Sequence, residues 1–119
     1  MTTGIEHSLK AALEHAGATH DLYDDVAPAI AAGRAQYWHN DGAAIVTEVL
    51  TFPRVKVLNY WLIGGALPAA LELAPEIETW ARKVGCTRAT GIGRPGWKQI
   101  VQQCGFRVGG IAFRKELIA

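Results

Sequence analysis

The sequence predicts an α+β domain with a mixed, mainly antiparallel twisted sheet. Three observations point to this class. Apolar residues recur at helical spacing near the N-terminus, three β-rich stretches joined by tight turns follow, and a long amphipathic stretch then precedes a short strand. The predicted order of elements is α-α-β-β-β-α-β-α-β. A strand meander followed by helical crossovers is typical of α+β and mixed-sheet domains.

Two helices are predicted before the first strand. The apolar residues from Ile5 to Ala16 recur at helical spacing, and Gly17 supplies the end of this helix. The second helix is predicted from about His20 to Ala32, with Gly33 as its terminator. Pro28 lies inside it, which predicts a break or a late first turn at that point.

The period then changes to that of strands. Residues 35–39 form a short aromatic strand, and Asn40-Asp41-Gly42 is a strong hairpin signal. Residues 43–51 (AAIVTEVLT) are rich in β-branched side chains. Residues 55–63 (VKVLNYWLI) become continuously apolar, as a central strand does. Gly64-Gly65 is expected to end this strand, and two neighbouring strands are expected to diverge just after Ile63.

The C-terminal half alternates helices and strands. Residues 67–84 predict a helix capped by Gly85, with a kink or a fresh start at Pro75. A short strand is predicted over 86–92 and a short helix over 95–104. A last strand is predicted over 106–117, bent at Gly109-Gly110.

The bulk composition fits one compact domain spanning residues 1–119, with 1–19 as an N-terminal helix of accessory character. The chain has a net charge of +1 and is half hydrophobic, so there is no broad electrostatic case for binding nucleic acid. Basic residues concentrate in the last third, but glutamates lie among them, which favours a solvated surface over a basic patch. The chain lacks a secretory signal pattern and an apolar run of membrane-spanning length, which predicts a soluble cytoplasmic protein.

The cysteines and tryptophans are expected to pack in the interior. Cys86 and Cys104 each adjoin a glycine and have no accompanying pair of ligands at zinc spacing, so two reduced, buried thiols and no metal site are predicted. The four tryptophans are distributed one per element, which favours core packing. The alternative is a groove lined by Tyr37, Tyr60 and Trp61.

The stretch GIGRPGWKQIVQQCGF, residues 91–106, begins like a phosphate-binding loop. A dinucleotide fingerprint would require a longer following helix and an acidic residue about twenty positions on, and the chain nearly ends there. The three glycines of this run therefore predict a tight strand-to-helix turn and a close approach to Trp97. Phosphate binding by this run is the weaker alternative.

The order of elements and several local motifs resemble the GNAT superfamily of N-acetyltransferases. The motifs are Ala81-Arg-Lys-Val-Gly85, which matches the end of the long helix in that family, and Cys104-Gly105-Phe106, which matches the end of its short helix. The chain also resembles small GNAT-like proteins of phages and prophages, through Ile77-Glu78-Thr-Trp80-Ala81-Arg-Lys-Val-Gly85-Cys86 and Gly93-Arg94-Pro-Gly96-Trp97. The resemblance covers residues 20–117 and implies the GNAT fold.

The resemblance implies acetyl-CoA as the acyl donor, with its pyrophosphate on backbone N–H groups at the start of the long helix. The corresponding site comprises Ile63, Gly64, Gly65, Ala66, Leu67, Ala69 and Ala70, together with Arg94. Only Ala70 fits the family's Q/R-x-x-G-x-G/A turn. Gly65 replaces the Gln or Arg, and Pro68 replaces the first glycine and has no N–H to donate. The alternatives are an ordinary Gly-Gly turn into a helix, and an Arg94 that pairs with Glu76 or Glu78.

The catalytic groups that the resemblance implies are only partly present. Val101 occupies the position of the tyrosine that protonates the departing thiolate, and valine cannot transfer a proton. Glu48 is the best candidate for a general base, because it lies in an otherwise apolar strand. The alternative is a solvated glutamate on a strand edge. His39 is a weaker candidate, and the other three histidines belong to the predicted N-terminal helices and are expected at the surface.

Three functions follow from these observations. The first is an acyl-CoA-dependent N-acyltransferase with a degenerate cofactor site, acting on a small-molecule or protein amine. The second is a non-catalytic phage or prophage protein, virion-associated or bound to a host protein, that keeps the fold; Pro68 and Val101 motivate it. The third and weakest is a nucleic-acid accessory protein that uses the C-terminal basic residues. A homodimer is compatible with the first two.

Overall fold

The computed structural model describes residues 3–118. The helices are α1 (Thr3–His15), α2 (Ala27–Ala31), α3 (Leu67–Lys83) and α4 (Lys98–Gln103). The strands are β1 (Gln36–His39), β2 (Ala43–Thr51), β3 (Lys56–Gly65) and β4 (Arg88–Gly91). A π-helical turn, Leu22–Val26, leads into α2, and a 3-10 turn, Pro95–Trp97, leads into α4. The order agrees with the prediction as far as α4.

The four strands form one sheet in the order β1-β2-β3-β4. The pairs β1–β2 and β2–β3 are antiparallel, whereas β3 and β4 are parallel, because α3 carries the chain back across the sheet between them. The sheet is therefore mixed and mainly antiparallel, as predicted. The Asn40-Asp41-Gly42 turn joins β1 to β2, and the Asn40 side-chain oxygen accepts the N–H groups of Gly42 and Ala43.

Helices cover both faces of the sheet, so the molecule has three layers. On one face Leu9 and Leu13 of α1 pack with Val46 and Leu62 of the sheet. On the other face lies a second cluster, with Ile45, Leu58, Tyr60, Leu73 and Ile77 among its members. β2 contributes alternate residues to the two clusters, because successive side chains of a strand point to opposite faces. Below, the two faces are called the α1 face and the α3 face.

The α1 helix lies directly against the end of β3. A Cβ atom built on Gly64 would stand 2.9 Å from the Cβ of Ser8 and 3.1 Å from the backbone nitrogen of Leu9. Only a glycine permits this approach. Gly64 and Gly65, which were expected to terminate the strand, instead form its last two residues.

The two prolines inside predicted helices behave differently. Pro28 lies in the first turn of α2, directly after the π-helical turn, which agrees with the predicted late first turn. Pro75 lies within a continuous α3, so no fresh helix starts there. Pro75 is exposed, and the buried residues Leu73 and Ile77 on either side hold the helix on the sheet. Packing therefore overrides the local cost of the proline.

The predicted strand over residues 106–117 is wrong for the single chain. Residues 106–118 form no regular secondary structure, and four of their side chains are 87–91% exposed: Ile111, Phe113, Leu117 and Ile118. A strand pattern becomes a strand only when a neighbouring strand supplies the ladder of hydrogen bonds. Within residues 3–118, no such neighbour lies along this segment.

The two cysteines differ in exposure, which corrects the prediction that both are buried. Cys86 is buried against the α3-face cluster, but Cys104 is exposed at the C-terminal end of α4. A short terminal helix has a solvent side, and the neighbouring Gly105 does not determine which side Cys104 takes. Within residues 3–118, no group of three or more His, Cys, Asp or Glu side chains is placed to hold a metal ion.

The tryptophans are all half-buried rather than fully enclosed. Trp38 of β1 and Trp80 of α3 pack edge to face, with ring centroids 5.6 Å apart, and Trp38 donates its indole N–H to Thr47. Trp61 packs at the margin of the α1-face cluster and against the ring of His20. None of the helices described is long and apolar enough to cross a membrane.

Candidate functional site

β3 carries a bulge at the point where its pairing with β4 ends. The stretch beyond this point, where β3 continues without β4 as a partner, is called the fork below. Leu62 pairs with Val46 and Tyr60 pairs with Thr47, so Trp61 has no partner on β2. An extra residue bends a strand and increases its local twist. The pairing of β3 with β4 ends at the same place, at Tyr60 and Gly91, while β3 continues to Gly65. The sequence predicted that the strands would diverge after Ile63. The pairing of β3 with β4 ends three residues earlier, beside the bulge.

In the part of β3 that continues past Tyr60 to Gly65, some backbone N–H and carbonyl groups point away from β2. Ala66 donates its N–H to the carbonyl of Gly42, so the Gly65 carbonyl in the same trans peptide unit points the opposite way. Alternation along the paired strand places the N–H and carbonyl of Ile63 on that side too. Within residues 3–118, no strand pairs with β3 there. This edge can therefore accept an extended ligand as a strand would be accepted.

The fork leads directly to the N-terminus of α3. Ala66 is its extended N-terminal flanking residue, and the 17-residue helix begins at Leu67 with Pro68 in its first turn. Gly65, with φ of +96°, makes the turn between strand and helix, and a Cβ there would stand 2.4 Å from the Gly42 carbonyl oxygen. A glycine is therefore required at position 65.

Two of the predicted phosphate-binding amides are already engaged. The N–H of Ala66 bonds to Gly42, and that of Ala70 bonds to the carbonyl of Ala66 as the first bond of the helix. Pro68 has no N–H. Leu67 and Ala69 therefore carry the N–H groups with which this helix end could hold an anion, supported by the positive end of the helix dipole. The β1–β2 turn lies against the same end, because Asn40 donates its side-chain N–H to the carbonyl of Ala69.

Arg94 and the glycine run lie after β4, at the junction to α4. The Arg94 guanidinium lies 5.4 Å from the ring centroid of Trp97, and both follow the end of β4 at Gly91. A Cβ on Gly93 would stand 3.2 Å from the Trp97 ring, which agrees with the predicted close approach. The alternative ion pair of Arg94 with Glu76 or Glu78 is not formed; the salt bridge found within residues 3–118 joins Arg114 to Glu116. The Arg94 side chain is exposed and can reach an anion.

On the α3 face, Tyr60 lies at the base of the fork. Its hydroxyl donates to a Glu78 carboxylate oxygen at 2.9 Å, and its ring packs edge to face with Phe106. Burial, above all, raises the pKa of Tyr60 far above its ordinary value, and the hydrogen bond to the nearby Glu78 carboxylate raises the pKa further. Tyr60 therefore stays protonated at any physiological pH. Val101 lies half-buried on α4 and offers no proton donor.

On the α1 face, Glu48 belongs to a row of polar side chains that crosses three strands. Asn59 of β3 donates its side-chain N–H to Glu48 of β2 at 3.0 Å, and Thr90 of β4 donates its hydroxyl to Asn59 at 3.1 Å. Thr90 immediately precedes Gly91, so the row lies one residue below the fork. Glu48 is half-buried and lies on an inner strand of the sheet. Its carboxylate is held by Asn59 at the β2 end of this row, one residue below the fork.

The predicted histidines lie apart from this row. His39 is exposed at the end of β1 and stacks on Tyr37, with centroids 4.9 Å apart. His7, His15 and His20 are exposed, as predicted. Among the predicted chemistry-bearing residues, the structure therefore brings Glu48 to the fork on the α1 face, while the start of α3 lies at the far end of β3.

Sequence reasoning missed the bulge at Trp61, the partners Asn59 and Thr90, and the Tyr60–Glu78 hydrogen bond. One signal was available for Asn59, which is the polar residue in the middle of the apolar strand VKVLNYWLI. A buried or half-buried polar side chain requires a partner, and its cross-strand neighbours are the first place to look. The bulge has no such signal, because it depends on the register with β2.

Comparison with solved structures supports the fold. The chain is similar to an acetyltransferase of Trypanosoma brucei, with a TM-score of 0.67 and 13% identity, over 98% of this chain and 96% of that one. It is also similar to a tetramutant of the BH1408 protein from Bacillus halodurans, with a TM-score of 0.67 and 10% identity, over 96% of this chain and 92% of that one. No protein-family model matches the sequence, and no curated protein matches it.

These findings and the forked mixed sheet define the fold as GNAT-like. At 10–13% identity, the likeness concerns the fold alone. Neither structure supports the resemblance to phage and prophage proteins.

Proposed function

We propose that this protein is an acyl-CoA-dependent N-acyltransferase that transfers an acetyl group to an amine. One observation carries the proposal: the fork between β3 and β4 opens at Tyr60 and Gly91, and β3 leads from it directly to the N-terminus of α3. An extended pantetheine arm fits an unpaired strand edge, and a pyrophosphate fits a helix N-terminus. The structural likeness to an acetyltransferase agrees with this assignment.

The residues at the fork fit acetyl-CoA, with a reduced phosphate grip. The backbone groups of Ile63 and Gly65 face the open side of β3, where they can pair with the amides of a pantetheine arm. At the helix end the N–H groups of Leu67 and Ala69 remain for the pyrophosphate. Arg94 is the first cation after β4 and can pair with a phosphate.

Bound acetyl-CoA supplies a thioester carbonyl carbon that a neutral amine attacks. A C–N bond forms and the C–S bond breaks, so the amine nitrogen must lose one proton and the departing thiolate must gain one. Glu48, fixed by Asn59 beside the fork, accepts the proton, directly or through water. Because Val101 donates nothing and Tyr60 stays protonated, the thiolate takes its proton from solvent. The acceptor is a small-molecule or protein amine, and the reaction takes place in the cytoplasm.

A second candidate function is a non-catalytic protein that keeps the GNAT-like fold. Two observations favour it: Ala66 has given its N–H to Gly42, and Pro68 replaces a further donor in the first turn of α3. A helix end with half its donors lost binds an anion more weakly. On this alternative the fork binds no cofactor, and the protein functions by binding another molecule at its surface.

Isothermal titration with acetyl-CoA separates the two candidates. The enzyme binds acetyl-CoA stoichiometrically, whereas the absence of heat at millimolar ligand would remove the first proposal. Arg94→Ala is expected to weaken binding by about 10- to 150-fold, since a charge-assisted contact to phosphate contributes about 1.5–3 kcal/mol. Arg54→Ala, an exposed arginine in the β2–β3 turn, is the matched control and is expected to bind as the wild type does.

Turnover with a panel of amines tests the role of Glu48. Glu48→Gln keeps an acceptor for the Asn59 N–H, so the fold and acetyl-CoA affinity are retained. The variant is expected to lower kcat by about 10²–10⁴-fold, the usual contribution of a general base. Glu72→Gln, on the exposed side of α3, is the control. An unchanged kcat in Glu48→Gln would assign Glu48 a structural role only.

A further inference from the structure

The C-terminal segment 107–118 is strand-forming but unpaired. Its large apolar side chains Ile111, Phe113, Leu117 and Ile118 are 87–91% exposed. Isolated exposed apolar residues are ordinary, but four large ones within eight residues at near-complete exposure are a high local density of uncovered apolar surface. This segment is the one that the sequence predicted as a strand, and its backbone runs outside the sheet.

The sheet offers an open edge at β4. Within residues 3–118, β4 is the last strand of the sheet and has β3 as its partner. Phe52 donates its N–H to the carbonyl of Val55, so by alternation along the β2–β3 ladder Val57 and Asn59 direct their backbone groups to β2, and Leu58 and Tyr60 direct theirs to β4. In the parallel register Leu58 then bonds to Arg88 and Thr90, so Ala89 and Gly91 direct their backbone N–H and carbonyl groups to the outer side of β4. Such an edge is a template for a further strand.

Within a single chain, the described segment passes from one face of the sheet to the other and does not pair with β4. Phe106 packs on Tyr60 on the α3 face, whereas the Arg114 side chain lies against Gly17 at the end of α1, on the other face. Gly109 and Gly110 lie between them, with no atom near the position of a Cβ and with φ of +74° at Gly110. This glycine pair provides a pivot at which the segment can swing outwards.

We propose that the protein forms a homodimer in which segment 107–118 of each copy pairs along β4 of the other. The occupant is a second copy because the open edge and the unpaired strand are present on the same chain. In a dimer with a two-fold axis, the segment of each copy pairs with the β4 edge of the other, so both edges and both segments are paired. The net charge of +1 opposes the association of two copies only weakly. The exchange extends each sheet to five strands and buries the apolar surface of the segment.

Light scattering coupled to size exclusion tests the dimer on the full chain, at about 10–200 µM so that mass action is visible. The expected molar mass is twice that of the single chain. Phe113→Ser removes the largest exposed side chain of the segment and is expected to weaken dimerisation at least tenfold, as truncating an interface anchor does. Phe52→Ser is the matched control, since Phe52 is exposed in the β2–β3 turn.

Amide hydrogen exchange identifies the strand pairing itself. The amides of residues 111–114 and the outward amides of Ala89 and Gly91 are expected to be protected in the dimer. They are expected to lose that protection on dilution or in Phe113→Ser. A monomer throughout the concentration range would overturn the proposal. So would a dimer that is indifferent to Phe113→Ser, or protection of residues 111–114 at monomeric mass, which would place the segment on its own sheet.

Discussion

Replacing Gly64 by alanine places a methyl group in the contact between β3 and α1. The new Cβ would lie 2.9 Å from the Cβ of Ser8, 3.0 Å from its carbonyl carbon and 3.1 Å from the nitrogen of Leu9. All three distances are shorter than the 3.4–4 Å of ordinary van der Waals contact. Two of these atoms are helix backbone and cannot move alone. Either α1 must shift away from the sheet, which opens the packing of Leu9, or the strand must bend.

The size of the effect follows from two opposing terms. Overpacking a well-packed contact costs about 1–3 kcal/mol. Replacing glycine by alanine restores about 0.4–1 kcal/mol by restricting the unfolded chain. A net loss of about 1–2 kcal/mol is expected. At about 2.1 cal/mol/K per residue, 119 residues give an unfolding entropy of about 0.25 kcal/mol/K, so Tm falls by about 4–8 °C.

Thermal and denaturant unfolding followed by circular dichroism measures this loss. Gly91→Ala is the matched strand control, because a Cβ there meets Tyr60 atoms at 3.4–3.5 Å, within ordinary contact. It is expected to leave Tm unchanged or slightly raised. Ser8→Gly removes one of the three clashing atoms and is expected to recover part of the loss in a double-mutant cycle. If Gly64→Ala were as stable as the wild type, α1 would not lie against the end of β3.

Three further predictions concern single side chains. Above pH 10 the unfolded chain loses a tyrosine proton that folded Tyr60 retains, so the free energy of unfolding should fall by about 1.4 kcal/mol per pH unit. Tyr60→Phe should not show this fall above pH 10. At neutral pH the variant lacks the hydrogen bond to Glu78, so its free energy of unfolding should be about 1 kcal/mol lower than that of the wild type. Urea unfolding at a series of pH values measures both effects. Asn40→Ala removes three hydrogen bonds at the β1–β2 turn and should lower the free energy of unfolding by about 1–3 kcal/mol in urea unfolding. A thiol reagent should label Cys104 rapidly and Cys86 only as the protein unfolds, as intact mass measurement can follow.

Specific results would contradict each of these. A wild-type pH profile that coincides with that of Tyr60→Phe above pH 10 would mean that the phenol is accessible to water. For the turn, Asp41→Ala is the control, because the Asp41 side chain is exposed and the turn hydrogen bonds are made by Asn40. Equal stability of the two variants would mean that these hydrogen bonds do not stabilise the fold. Labelling of both thiols at one rate would place Cys86 at the surface.

The sequence by itself determined the class of fold and most of its elements. The extent of β2 agrees with the prediction, and α1 and α3 agree to within two residues at each end. The reason is that apolar periodicity, the Asn40-Asp41-Gly42 turn and the glycines that end helices act locally. The motifs at Ala81–Gly85 and Cys104–Phe106 added the resemblance to GNAT proteins, and solved structures support that fold.

Only the tertiary structure decided how the candidate site is arranged. The β3–β4 pairing ends at Tyr60, beside the bulge at which the register of β3 against β2 leaves Trp61 unpaired. Register depends on strands that meet across the sheet. The same is true of the Glu48–Asn59–Thr90 row, whose members come from three strands. Whether residues 106–117 form a strand could not be decided from the local sequence, for a related reason. A strand pattern indicates that a segment can pair, but the pairing requires a neighbouring strand in the folded structure.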